Sequence, residues 1–537
     1  MAEQVTGGDL VAVALEALGV EHVFGIVSVH NLPIYDAIRR RGRIQAVNSR
    51  HEQGAVHAAD GYARSTGRLG VAITSTGPGA ANAVPGLFEA AFSSSPVLMI
   101  TGQVETRFYG KGRGVLHEAE RQLPMLRSVT RRTESVARTP DIPGAIMVAA
   151  ADALTGRPQP VAVEIPIDLQ YQATDPQQPG RPVIRRARPD PAALAAAAAQ
   201  LSAAARPIIW AGGGVVSAGA SAELTALAER LQAPVVTTIE GRGAIAEDHP
   251  LAVGPHADHA EVAAILAEAD LVLAVGSRFP AIGGRWPALP SGLIHLDADP
   301  GVIGLNHEAS VELVGDALAG LQEILGAVTG GGAEPAFTKR AAEAGARARD
   351  AGRELIGPDH RAIMDAIREL LPRHSPVVRD STVPAYRWAD RLLPILEPRT
   401  SVRPNSAAIG PGVPLAIGAA VGSGQPVVVI QGDGGLMLSL GELAVAAERQ
   451  LPIVVCVFND RGYGVLRWVE GQRFDGANFG VDLHTPDFVG LGRAMGLDAE
   501  LVSGAAEFRP AFARALDSGR PTLLEIDQSQ LAPMGRW

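Results

Sequence analysis

The 537 residues carry a net charge of −10, with 47% hydrophobic and 19% charged side chains, which supports a large buried core and about three domains of ordinary size. No basic block stands out, so nucleic acid is a poor partner. No apolar run reaches the roughly 18 residues that span a bilayer, and the N-terminal residues lack the basic and apolar regions of a signal peptide; a soluble, cytoplasmic protein with no membrane partner is expected.

Taken in chain order, helical and strand patterns alternate almost everywhere, the signature of α/β layers with parallel sheets. Residues 6–18 read as an amphipathic helix leading into a strand at 22–25. Residues 71–76 form a buried strand stopped by Gly77-Pro-Gly, and 96–102 and 160–166 are two more. Residues 175–191, rich in Pro, Gln and Arg, read as a linker. Strands follow at 207–211, 234–238, 271–276 and 293–297, with a helix at 221–231. After a second linker near 329–335 come a charged helix over 339–354 and a third unit with strands at 376–380, 426–433 and 453–459. The fold class is α/β, three consecutive doubly wound parallel-sheet domains, with boundaries at 1–174, 191–328 and 356–537. The single cysteine, Cys456, lies inside an apolar strand; it excludes a disulfide framework and a multi-cysteine metal site and reads as a buried structural thiol.

The strongest chemical signal is Gly432-Asp433-Gly434-Gly435, followed 27 positions later by Asp460 within Asn459-Asp-Arg-Gly462-Tyr463. Each half follows a strand, so both belong at carboxyl ends of strands, where open α/β sheets bind ligands. Glycines let the backbone approach a diphosphate, and a helix starting near Ser439 is expected to aim its N–H groups at that anion. Mg²⁺ takes hard oxygen ligands and shares them with phosphates; Asp433, Asp460 and a backbone carbonyl at Gly462 can supply the protein's share.

This segment resembles the diphosphate-binding motif of thiamine-diphosphate enzymes, and the likeness runs along nearly the whole chain, nearest to the acetolactate synthase group. Asp460 stands where many members carry Asn; either side chain offers an oxygen to a metal. Arg50-His-Glu52-Gln-Gly-Ala followed by Ala59-Asp-Gly-Tyr-Ala resembles the family's pyrimidine-domain signature. The resemblance makes Glu52 the carboxyl that bonds N1′ of the aminopyrimidine and thereby lets the cofactor remove its own C2 proton. Such a group works best where burial disfavours its charge. Ile409, within Ala408-Ile-Gly-Pro-Gly, matches the apolar residue that forces the cofactor's bent shape, and Gly77 with its neighbours matches the cofactor cleft, as do Gly432 to Gly435 and Tyr463. The family places each cofactor between two subunits, implying a homodimer or homotetramer.

On the substrate side the chain departs from the synthases. Val27-Ser28-Val29 replaces the usual Pro-Gly-Gly turn, His30 stands where a small residue is usual, and His117 replaces a glutamine. His30 and His117 are therefore candidates for proton handling. The middle domain keeps the Gly212-Gly-Gly and Gly276-Ser-Arg-Phe strand ends, but Pro280-Ala-Ile-Gly-Gly replaces the string that accompanies FAD in synthases, which argues against FAD. The expectation is a thiamine-diphosphate and Mg²⁺ dependent enzyme that makes or breaks a carbon–carbon bond of a small 2-oxo acid or acyl donor. Carboligation like that of acetolactate synthase leads. Decarboxylation in the manner of benzoylformate decarboxylase, or lysis of an aldehyde or 2-hydroxyacyl-CoA adduct, is the alternative. A non-catalytic scaffold of the same fold would be expected to lose Glu52 or the Asp433 motif, and both are present.

Overall fold

A computed structural model describes residues 4–279, 281, 287–290, 292–330, 332–474 and 476–535. Three six-stranded sheets form its framework. In the first, the order is Gln45–Asn48, His22–Gly25, Gly70–Thr74, Val97–Gln103, Val161–Pro166, Arg132–Ser135, every pair parallel. In the second, it is Ala252–Gly254, Val235–Thr237, Pro207–Ala211, Leu271–Val275, Leu293–Asp297, Val311–Val314, again parallel throughout. The third contains the parallel pair Val427–Gly432 and Ile453–Asn459, with Gly432 opposite Phe458. Helices cover both faces of a parallel sheet, so its inner strands read as unbroken apolar runs rather than alternating ones. Val161–Pro166 and Leu271–Val275 are buried at every position. Cys456 is buried within strand Ile453–Asn459, and burial raises its thiol far above the usual range.

The chain divides into two compact units: Met1–Arg185, Val402–Glu500 and Ala515–Glu525 form one, and Arg186–Ser401, Leu501–Arg514 and Ile526–Trp537 the other. The first unit opens with helix Gly7–Ala17, whose start is fixed by a capping box between Thr6 and Asp9. Its central feature is the crossing of helix Glu52–Thr66 with helix Gly412–Ser423. A Cβ added at Gly61 would stand 2.0 Å from Leu415 O, and one at Gly418 1.8 Å from Ala58 O. The two backbones touch, which only glycines permit.

The second unit contains the three-glycine turn and its neighbour. Gly212 donates to Val275 O at 2.9 Å and Gly214 to Gly276 O at 3.0 Å, so the two strand ends are closed on each other. Pro280, Ile282, Gly283 and Gly284 of the string weighed against FAD lie outside the described residues. Among the described residues no helix is long and apolar enough to cross a membrane.

One expected helix differs. The segment near Ser439 is a 3₁₀ turn, Leu440–Glu442, followed by the short helix Leu443–Glu448. The first helical turn after the glycine motif is instead Asp433–Leu436, which begins at the motif's own aspartate. The backbone N–H groups beside the motif are therefore those of residues 433–436, because the chain turns as soon as the strand ends.

Candidate active site

Glu52 is the first residue of its helix and is 9% exposed. The turn before it is held at its N-cap, where His51 Nδ1 accepts from Gln53 N–H at 3.2 Å. Glu52 Oε2 accepts from Asn82 Nδ2 at 3.1 Å, while a Cβ added at Gly79 would stand 2.8 Å from Oε1. One oxygen is thus tied down and the other lies against bare backbone. The small residues that follow Glu52 are buried in the crossing with helix Gly412–Ser423. His57, on the same helix, is buried, and desolvation pushes it down to about 4, as for a packed neutral imidazole.

Asp433 and Asp460 stand at the carboxyl ends of adjacent parallel strands. Asp433 Oδ2 accepts the Gly462 N–H at 2.8 Å. Burial raises the Asp433 carboxyl; burial and then the Asp433 charge push Asp460 up to about 7. Arg467, with Nη1 3.6 Å from Asp460, pulls the other way. Two desolvated carboxylates held together resist ionising as a pair. Gly434 lies against the Tyr463 ring, where a Cβ would stand 2.8 Å from the ring edge and 3.3 Å from Gly462 O. Among the described residues no group of three or more His, Cys, Asp or Glu side chains is arranged to hold a metal. Glu52 shares no hydrogen bond with Asp433 or Asp460 among those residues.

Ile409 sits in a bend and is half-buried, not part of the sealed core. Gly77 adopts φ +57°, and a Cβ there would stand 2.6 Å from His117 O. His117 itself has φ +62°, a left-handed conformation rare outside glycine. Its ring stacks on that of His30, centroids 5.1 Å apart at 30°. His30 is buried, and desolvation together with the neighbouring His117 lowers its pKa. Nδ1 of each ring is buried without a hydrogen-bond partner. Two histidines separated by 86 intervening positions in the chain thus form one pair, which no local pattern announces.

The support beneath this pair was not legible either. Gln122 Oε1 accepts from Thr76 Oγ1 and Gly77 N–H, both at 2.8 Å, and its Nε2 donates to Glu164 Oε2 at 2.7 Å. Gln103, buried at the end of strand Val97–Gln103, donates to the same Glu164 oxygen at 3.0 Å. Glu164 and Asn82 carried no motif; only the paired parallel strands and the packing of helix Pro78–Phe92 against helix Glu52–Thr66 bring them to the site.

Residues 5–125 match the N-terminal TPP binding domain of thiamine pyrophosphate enzymes, residues 194–324 their central domain, and residues 384–526 their C-terminal TPP binding domain. A probable acetolactate synthase large subunit from Methanocaldococcus jannaschii is 33% identical over 98% of this chain and 93% of its own length. The chain belongs to the thiamine pyrophosphate enzymes. The acetolactate synthase large subunit of Corynebacterium glutamicum is 34% identical over 99% of this chain and 88% of its own. A probable 2-ketoarginine decarboxylase AruI from Pseudomonas aeruginosa is 35% identical over 97% and 94%. As a thiamine pyrophosphate enzyme, a name equivalent to thiamine-diphosphate enzyme, this protein is acetolactate-synthase-like along nearly its whole length.

Proposed function

We propose that this thiamine pyrophosphate enzyme acts with Mg²⁺ on a small 2-oxo acid, breaking the bond to its carboxyl carbon and passing the remaining acyl fragment to an acceptor. The observation that carries the reading is the Asp433–Asp460 pair. A buried carboxylate and a half-buried one at neighbouring strand ends, the latter pushed up to about 7, are relieved by a hard divalent cation that also takes diphosphate oxygens. Asp433, Asp460 and the Gly462 carbonyl would hold that ion, and the turn at Gly432 to Gly435 with Tyr463 would cradle the diphosphate. Bound thiamine diphosphate supplies a ring carbon that accepts the electrons released when CO₂ leaves.

The chain's own groups then divide the work. Glu52, with Oε2 fixed by Asn82, would present Oε1 to the aminopyrimidine as its hydrogen-bond partner. Ile409 would pack against the bound cofactor in the manner the family resemblance implies, and the Gly77 turn would line its cleft. A homodimer or homotetramer is the assembly that the family resemblance implies. It fits the exposed Met437, Leu438 and Phe479, side chains that a partner subunit would cover.

The stacked histidines favour a second reading, in which the acyl fragment is simply protonated and released as an aldehyde. A buried His30 beside His117 can carry one proton between them and deliver it. Dialysed protein supplied with thiamine diphosphate and Mg²⁺, then given pyruvate or benzoylformate, separates the two outcomes by CO₂ with acyloin product against CO₂ with aldehyde. Glu52→Gln should lower turnover on the order of 10²-fold or more. Unchanged turnover in that variant, or full activity in chelator-treated protein without the cofactor, overturns the proposal.

A further inference from the structure

Two buried carboxylates in the first unit belong to no motif and make matching contacts. Glu89, on helix Pro78–Phe92, is 0% exposed. Its Oε1 accepts the Asn405 N–H at 2.7 Å and Ser93 Oγ at 2.6 Å; its Oε2 accepts the Ser406 N–H at 3.1 Å and also the Ser406 hydroxyl. Arg64 Nη1 lies 3.7 Å from Oε1, and Arg64 Nη2 donates to Asn405 Oδ1 at 3.4 Å. Glu442, equally buried, accepts on Oε1 the N–H groups of Arg50 at 2.9 Å and His51 at 3.0 Å. Each carboxylate holds two consecutive backbone N–H groups of a segment far away in the chain.

What those segments lead into gives the contacts their meaning. The pair held by Glu442 immediately precedes Glu52. The pair held by Glu89 is followed by Ala407 and then, two positions on, Ile409. Ala407 has φ +62° and Gly410 φ +103°. An alanine in the left-handed region is strained, so this turn does not hold itself. A buried carboxyl group is a costly way to gain stability, since apolar packing does as well or better. What its hydrogen bonds to backbone N–H groups add is fixed geometry.

We propose that Glu89 and Glu442 are a reciprocal pair of positioning residues: the pyrimidine side holds the loop that carries Ile409, and the diphosphate side holds the helix start that carries Glu52. The inference rests on the roles proposed above for Ile409 and Glu52. Neither glutamate touches the reacting atoms; each acts through the backbone that it clamps.

The test is Glu89→Gln, which keeps the shape but replaces one N–H acceptor by an N–H donor. Amide hydrogen exchange of the peptide over 403–409 should quicken in the protein without cofactor. In the reconstituted enzyme, exchange of the cofactor C2 proton, followed by NMR after acid quench, should slow together with kcat. A misplacement of about 1 Å predicts a loss on the order of 10²-fold in kcat, with KM for the 2-oxo acid little changed. Glu442→Ala should do the same through the peptide over 49–53. Faster amide exchange with unaltered C2 exchange and kcat overturns the proposal. Failure of the wild-type enzyme to exchange the C2 proton at all sinks the underlying functional reading instead. If Glu89→Gln does not fold, Ser406→Ala decides: it removes one donor to the carboxylate and should lower kcat about tenfold, and an unchanged kcat there also overturns the brace.

Discussion

His117 occupies the left-handed region with a bulky side chain, a conformation that costs about 1–3 kcal/mol when the surroundings impose it. The imposition comes from Gly77, whose backbone leaves no room for a Cβ beside His117 O, and from the stack on His30. His117→Gly should therefore raise the unfolding midpoint or leave it unchanged while turnover falls; thermal melts and steady-state rates measured on one preparation check both halves. A loss of stability with full activity would mean the residue is there for packing. At this scale the sequence was partly legible. Glu52 lies in a string long enough to identify, and both histidines were conspicuous as departures from a pattern. Asn82 was invisible, since its amide reaches the Glu52 carboxylate from a different helix.

At the scale of elements, the crossing of Glu52–Thr66 with Gly412–Ser423 is set by two glycines facing the opposite backbone. Gly418→Val would place a branched side chain inside Ala58 O and force the helices apart. The expected result is a loss of more than about 3 kcal/mol, beyond ordinary overpacking, or insoluble protein, read by denaturant unfolding. Gly326, near the end of helix Ala317–Ala327, meets nothing within 4 Å at its Cβ position. Gly326→Ala should stabilise by roughly 0.5–1 kcal/mol. Opposite signs for the same class of residue are the check that close approach, not helix propensity, governs Gly418. The short turn at Asp433–Leu436 illustrates the limit of pattern reading: a four-residue helix is too brief to leave a period, so the later segment near Ser439 looked like the better start.

For the whole molecule, the acid response is a balance between buried bases and buried acids. Burial, reinforced by Arg349, Arg242 and Arg391, pushes His256 down to about 3. The unfolded histidine takes a proton near pH 6.5 and the folded one does not. His256 therefore contributes stability that is present above pH 6.5 and is lost as pH falls toward 3. Glu442, pushed up to about 7, and Asp60, pushed up to about 6, act in the opposite sense. Their contribution is full at low pH and is lost as pH rises through those values. His256→Gln removes one term only, so the difference in unfolding midpoint between wild type and variant should shift in favour of the variant as pH drops from 7 to 4.5. A difference that stays constant with pH would rule out a neutral buried His256.

The sequence by itself determined the three parallel-sheet α/β domains and the cofactor class. Buried parallel strands must be continuous apolar runs, and a diphosphate requires glycines at strand ends; both demands fall on neighbouring residues and leave a local trace. Only the tertiary structure decided what holds those residues in place. The His30–His117 stack, the Asn82 contact and the Gln122–Glu164 support each join segments distant in the chain, as do the two carboxylate clamps. A hydrogen bond depends on distance in space, and spacing along a chain does not encode it.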